Sequence, residues 1–172
     1  MTQDRETRFD KTRVMVRPAE DADLSVLSEL FDMGVLEGQV PDNDTGADIE
    51  NFREAYGSDD AMSGFWVAVY EGAVVGMVGV QRHDKNVAEI RRLRVRPDRR
   101  RRGIGSMLME RAIAFCRERD YLKVILDTRV EEEPAIRIFR KFGFQLGRTR
   151  EIDGRRLIDF YLDIYREPEI RE

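Results

Sequence analysis

Arg100, Gly103 and Gly105 stand in the order Arg-x-x-Gly-x-Gly within a stretch running from Val87 to Arg119. The chemistry such a stretch can do is anion binding. Val87 to Val95 alternates apolar and polar residues and reads as a strand. Pro97 ends it, and a basic, glycine-containing turn follows from Arg99 to Gly105. Ile104, Met107, Leu108, Ala112, Ile113 and Phe115 then supply the apolar stripe of an amphipathic helix reaching about Arg119. Strand, glycine turn and helix together aim unpaired backbone N–H groups at an anion, reinforced by the helix dipole. Glycines 103 and 105, lacking Cβ atoms, predict close approach of a phosphate to the backbone. Arg101 and Arg102 extend the basic run between Arg100 and Gly103, and Ile104 and Ser106 belong to the first turn of the expected helix. A Walker loop is excluded because no Lys-Ser/Thr pair follows the second glycine. A dinucleotide fingerprint is excluded because Leu108 occupies the place of its third glycine.

A second motif lies downstream, at Ala135 to Phe144 (AIRIFRKFGF). This short helix ending in Gly-Phe, together with the Arg-x-x-Gly-x-Gly loop after a strand, resembles the GNAT N-acetyltransferase superfamily. The specific motifs fall in residues 87–105 and 127–144, and the order of elements extends the resemblance over residues 12–163. It implies acetyl-coenzyme A as cosubstrate, with no metal, and a primary amine attacking the thioester directly in a ternary complex. It places the pyrophosphate on Arg100 to Ser106 and the pantetheine arm along the strand edge at Leu93, Arg94 and Val95. The Val95 backbone N–H becomes the expected oxyanion contact, and Phe139 the expected packing contact to the cofactor. Many relatives have Tyr at the position of Phe139 and Asn at that of Glu132. Phenylalanine cannot protonate a departing thiolate, so the general acid stays unassigned.

An attacking ammonium must lose a proton to a nearby base. Glu89 is the candidate general base: strand parity puts it on one face with Leu93 and Val95, barring a bulge. It also matches the position of the catalytic glutamate in histone-acetylating members of the superfamily. A solvated Glu89 paired with Arg91 is the competing reading. His83, the single histidine, falls in a turn. Glu131 to Glu133 could meet a cationic substrate or form a solvated charge run. A non-catalytic acyl-coenzyme A sensor or interaction module of the same fold is the alternative function.

The elements that must carry these residues read as one domain, expected over residues 12–165, with tails at 1–11 and 166–172. The fold class is mixed α/β: a mostly antiparallel central sheet, splayed between its fourth and fifth strands, with helices on both faces. The expected order begins with a strand at 12–17 and a helix after Asp21 or Asp23. A loop follows from Gly34 to Thr45, then a second helix from Ala47 to Tyr56. Strands at 64–70 and 73–81 meet at Glu71-Gly72. The crossover helix leads to Lys123–Asp127, and a last hairpin turns at Asp153-Gly154.

The chain of 172 residues carries a net charge of −4. Residues 1–86 hold 8 Lys/Arg against 18 Asp/Glu, and residues 87–172 hold 22 against 16. The basic half contains the glycine loop and suits a polyphosphate, while the acidic half suits a cationic acceptor. Nucleic acid is disfavoured as a partner: the chain is acidic overall and no aromatics interleave with the arginines for stacking. No run approaches the roughly 20 apolar residues of a membrane span, and the charged N-terminus lacks a signal-peptide core. Cys116 is the single cysteine and reads as a core residue. A cytoplasmic protein is expected, and a homodimer is compatible with the family resemblance, although no interface signature is visible.

Overall fold

The computed structural model describes residues 8–37, 40, 44–57, 59–129 and 133–165. Residues 1–7 of the expected tail at 1–11, the tail at 166–172, residues 130–132, and residues 38–39 and 41–43 of the loop after α1 lie outside the described residues. In chain order the elements are β1 (Met15–Pro18), α1 (Leu24–Leu36), α2 (Ala47–Glu50), α3 (Phe52–Tyr56), β2 (Gly64–Tyr70), β3 (Ala73–Arg82), β4 (Val87–Val95), α4 (Ile104–Glu118), β5 (Lys123–Arg129), α5 (Glu133–Lys141), β6 (Gln145–Ile152) and β7 (Arg155–Asp163).

Seven strands form one sheet in the order β1-β2-β3-β4-β5-β7-β6. Every neighbouring pair is antiparallel except β4 and β5, which α4 joins as a parallel crossover. Alternation along the strands sorts side chains to two faces. Trp66 and Ala68 of β2 join Ile104, Leu108, Ala112 and Phe115 of α4 in one core. Phe65 and Val67 join Leu27 and Leu30 of α1, Ile49 of α2 and Tyr56 of α3 in the other. Helices therefore cover both faces.

Three differences from the sequence expectations have local causes. The helix expected from Ala47 to Tyr56 is two short helices, broken at Asn51, whose side-chain amide donates to the Ala47 carbonyl instead of continuing the pattern. α1 persists to Leu36, consuming the first residues of the expected loop. Residues 8–11 are docked rather than frayed. The Phe9 ring packs 4.7 Å from that of Tyr70, and Asp10 caps a 3-10 turn at Lys11–Arg13 by accepting from the Thr12 N–H.

Candidate functional site

β4 and β5 pair only at Val87 with Lys123, Ala88 with Val124 and Glu89 with Ile125. Beyond Glu89 the two strands diverge, and the sheet opens into a cleft of about 510 Å³. Its walls include Phe31, Asp48, Glu89, Arg91, Asp127 and Phe139. The cleft edge of β4 carries unused backbone groups. The Arg96 N–H donates to the Val75 carbonyl on β3 at 2.8 Å. Alternation therefore turns the Val95 N–H the other way, toward the splay. The Val95 carbonyl on that same edge accepts from Arg100 Nε at 3.3 Å.

Two carboxylates meet at the point where the strands part. Glu89 is two-thirds buried, and its nearest cation, Arg91, stands 3.8 Å away. Burial pushes the Glu89 carboxyl above its ordinary range; Arg91 opposes this and the neighbouring Asp127 adds to it. Asp127, the last residue of the expected KVILD strand, is likewise raised, first by its packed surroundings and against the pull of Arg150. Arg150 bridges Asp127 at 3.2 Å and Asp159 at 2.7 Å. A carboxylate with a raised pKa accepts a proton more readily than a solvated one, which suits a base acting near neutral pH.

The loop after β4 has the geometry of an anion cradle. Arg101 and Gly103 both adopt left-handed backbone, φ 61° and 81°. Left-handed residues interspersed along a loop fold its N–H groups toward one side. Gly103 is also the N-terminal cap of α4, whose first N–H groups have no acceptor within the helix. A side chain at Gly103 would be strained by its φ and would meet the Lys11 side chain at 3.1 Å. Gly105 answers a different need. A Cβ there would stand 2.9 Å from Ile138 of α5, so this glycine lets α5 approach α4.

The profile of the Acetyltransferase (GNAT) family matches residues 27–144, more than half of the chain. The chain belongs to that family. Solved structures share the fold. One is yncA from Salmonella typhimurium, determined with its cofactor acetyl-CoA (TM-score 0.78, 20% identity, 90% of this chain and 96% of that one). Another is a ribosomal-protein-alanine N-acetyltransferase from Brucella melitensis (TM-score 0.75, 24% identity, 87% and 99%). Among curated proteins, an N-acetylaspartate synthetase of Danio rerio is 38% identical over 100 residues, covering 57% of this chain and 36% of that protein. N-acetyltransferase 8 of Homo sapiens is 34% identical over 103 residues, covering 57% and 45%. The chain thus spans less than half the length of these curated relatives.

Against this GNAT frame, the sequence-predicted residues divide. Parity does not hold along β4. Three steps from Arg91 to Arg94 oppose two steps from Gly79 to Met77 on β3, and Arg92 takes φ 60°. This bulge turns Leu93 and Val95 to the α4 side, where they pack against the core. Glu89 lies on the opposite face from Ala88 and Ile90, which belong to that core. Glu89 and Leu93 still border one cleft, because the cleft passes through the opened sheet.

Several arginines on and after the bulge are held by carboxylates or rings. Arg92 is buried and pairs with Asp44 and Asp48, each at 2.5 Å. Its guanidinium lies 4.9 Å from the centre of the Phe31 ring. The Arg94 side chain is buried and pairs with Glu37 at 3.2 Å. Arg100 reaches the same Glu37 at 2.7 Å. Arg102 stacks over Phe9.

Phe139 is buried against Phe144 and Phe160 and borders the cleft. Among the described residues lining the cleft, the only hydroxyl groups belong to Thr45 and Thr128. Ser106, in the first turn of α4, accepts a hydrogen bond from Lys141 Nζ at 3.3 Å. Sequence reasoning missed Asp127 and the Arg92–Asp44–Asp48 cluster. A strand ending in a lone aspartate carries no motif, and only the unusual backbone of Arg92 reveals its role.

Proposed function

We propose that the protein transfers an acetyl group from acetyl-coenzyme A to a primary amine, by direct attack with both substrates in the cleft. The observation that carries this is the splay after Glu89, which brings together a buried carboxylate, an unpaired strand edge and the α4 anion cradle. Membership of the GNAT family and the acetyl-CoA held by the yncA structure support the same reading.

Bound acetyl-coenzyme A would supply an activated thioester carbonyl. The Arg101–Ser106 backbone would hold the pyrophosphate, and the β4 edge at Leu93 to Val95 would pair with the pantetheine amides as an added strand does. The Val95 N–H faces the side of the splay where a carbonyl oxygen needs a donor. Glu89, with Asp127 beside it, takes the proton released by the acceptor ammonium. Phe139 gives the cleft an apolar wall, and thiol protonation falls to water. Holding both substrates in register is worth several kcal/mol by orientation alone.

The acceptor is an amine whose carbon skeleton lies between α1–α2 and the β5–β7 side. The relatives act in name on aspartate and on ribosomal-protein alanine, so the acceptor panel is L-aspartate, a peptide with N-terminal alanine, and a lysine peptide. Calorimetric titration with acetyl-coenzyme A, for wild type and Gly103→Val, tests the cofactor site. Micromolar binding lost in a folded variant supports the reading. No binding by folded wild type overturns it. Thiol release with any amine on the panel separates the enzyme from a non-catalytic sensor of the same fold.

A further inference from the structure

The arginine run beside the glycine loop is largely committed elsewhere. Arg92, Arg94 and Arg100 pair with Asp44, Asp48 and Glu37. Arg96 pairs with Asp98. Arg99 lies 5.3 Å from the centre of the Tyr70 ring, and Arg102 lies 5.0 Å from that of Phe9. Phe9 and Tyr70 pack together, so the loop's arginines clamp the N-terminal segment against the sheet. The Tyr70 hydroxyl accepts from the Asp10 N–H at 3.3 Å, which fixes the segment's height over the loop. Asp10 then caps the next turn and presents Lys11.

The Lys11 ammonium ends about 3.1 Å from the point where a Gly103 side chain would begin, directly over the cradle. Lys11 has no ion pair among the described residues. A second ammonium enters from the other neighbouring element: Lys141, in the last turn of α5, donates to Ser106 in the first turn of α4. Two ammonium groups, from segments about 130 residues apart in sequence, thus converge on one turn of backbone whose N–H groups are unpaired.

We infer that Lys11 and Lys141 are the side chains that neutralise the diphosphate of coenzyme A, replacing the arginines of the loop. The inference rests on the cofactor reading above. Lysine suits the task as a compact point charge that needs no fixed fork geometry. The N-terminal segment, outside the region matched by the family profile, becomes part of the cofactor site.

The test is calorimetry on the full chain with two ligands, acetyl-coenzyme A and 3′-dephospho-coenzyme A, for wild type, Lys11→Ala, Lys141→Ala, Lys11→Arg and Phe9→Ala. Lys11→Ala and Lys141→Ala should each weaken both ligands about tenfold, with unchanged thermal stability and a shallower dependence of Kd on salt. Lys11→Arg should retain most of the affinity, and Phe9→Ala, which frees the segment, should mimic Lys11→Ala. Unaltered Kd values in both alanine variants would overturn the inference. So would a loss seen with acetyl-coenzyme A but absent with the dephospho ligand, which would move the lysines to the 3′-phosphate. Absence of binding in wild type is a separate result, and it removes the cofactor reading itself.

Discussion

At the scale of single residues, the site turns on protons. Glu89 and Asp127 are both held above the ordinary carboxylate range, first by desolvation, although the Asp127 side chain stays about half exposed at the cleft rim. A base works when deprotonated, so kcat/KM for acetyl transfer should rise with pH through the raised Glu89 pKa, on a limb displaced upward from about 4.3, the value of a free glutamate. Glu89→Gln should lower kcat about 10²- to 10⁴-fold and remove that limb, leaving the acetyl-coenzyme A Kd unchanged. Asp127→Asn should shift the limb downward, because a negative neighbour that raises the Glu89 pKa is gone. A pH–rate profile of each variant decides between these roles. A limb that survives in Glu89→Gln would assign the base elsewhere. Cys116 is a contrasting case. Burial pushes its thiol up to about 12, so the native protein should resist thiol reagents at pH 8 and react stoichiometrically only once unfolded.

At the scale of elements, the β4 bulge is the device that builds one wall of the cleft. It turns Arg92 under α1 and α2, where the guanidinium joins Asp44, Asp48 and the Phe31 ring. Burial alone would raise both aspartates, but their hydrogen bonds to Arg92 hold them below the ordinary range. Their depressed pKa values give stability that is present above about pH 3.9, the free aspartate value, and lost as pH falls through the folded values. Arg92→Met should leave the largely buried Asp44 and Asp48 carboxylates without their cation, at a cost of about 3 kcal/mol. For a chain of this size that lowers Tm by about 6–12 °C, measured by calorimetry at pH 7. The loss should shrink at pH 3, where the aspartates approach neutrality. If the amine occupies the proposed half of the cleft, which Asp44 and Asp48 line, the acceptor KM should rise more than the KM for acetyl-coenzyme A. An equal loss at both pH values would show that Arg92 stabilises by packing alone.

Legibility from sequence follows the same division. Strand alternation and helix stripes depend on local periodicity, so β2, β3, β4 and α4 were readable to within a residue or two, as was the parallel crossover. The glycine loop was readable as a tight turn into α4 because left-handed backbone and missing side chains leave a spacing pattern. The bulge was not readable, since Arg92 adopts a conformation that its residue type disfavours and only tertiary ion pairs sustain it. The same blindness hid the destination of the arginines. A run of cations looks available to phosphate until Glu37, Asp44 and Asp48, some fifty residues earlier, are seen to claim several of them. Phe9 escaped notice because one aromatic in a polar segment has no period.

For the whole molecule, the charge asymmetry of the sequence is partly spent internally. The acidic first half and the basic second half meet across the cleft, with Asp44, Asp48 and Glu37 neutralising Arg92, Arg94 and Arg100. What holds the fold is the pair of apolar clusters on either face of the sheet. Most of the other ion pairs are exposed, as in Arg53 with Asp21 and Arg137 with Glu133, and exposed pairs contribute about 0–1 kcal/mol each. Folding and ligand binding should therefore answer differently to salt. Between 50 and 500 mM sodium chloride the screening length falls from roughly 14 to 4 Å. The Kd for acetyl-coenzyme A, a polyanion approaching an N–H cradle and two ammonium groups, should rise roughly tenfold over that range. Tm should move by only about 3 °C, because apolar burial is not screened. Parallel calorimetric titrations and thermal melts across the salt series make the comparison. A Tm that fell as steeply as the affinity would mean that the charged interface between the two halves, rather than the two cores, carries the stability of the fold.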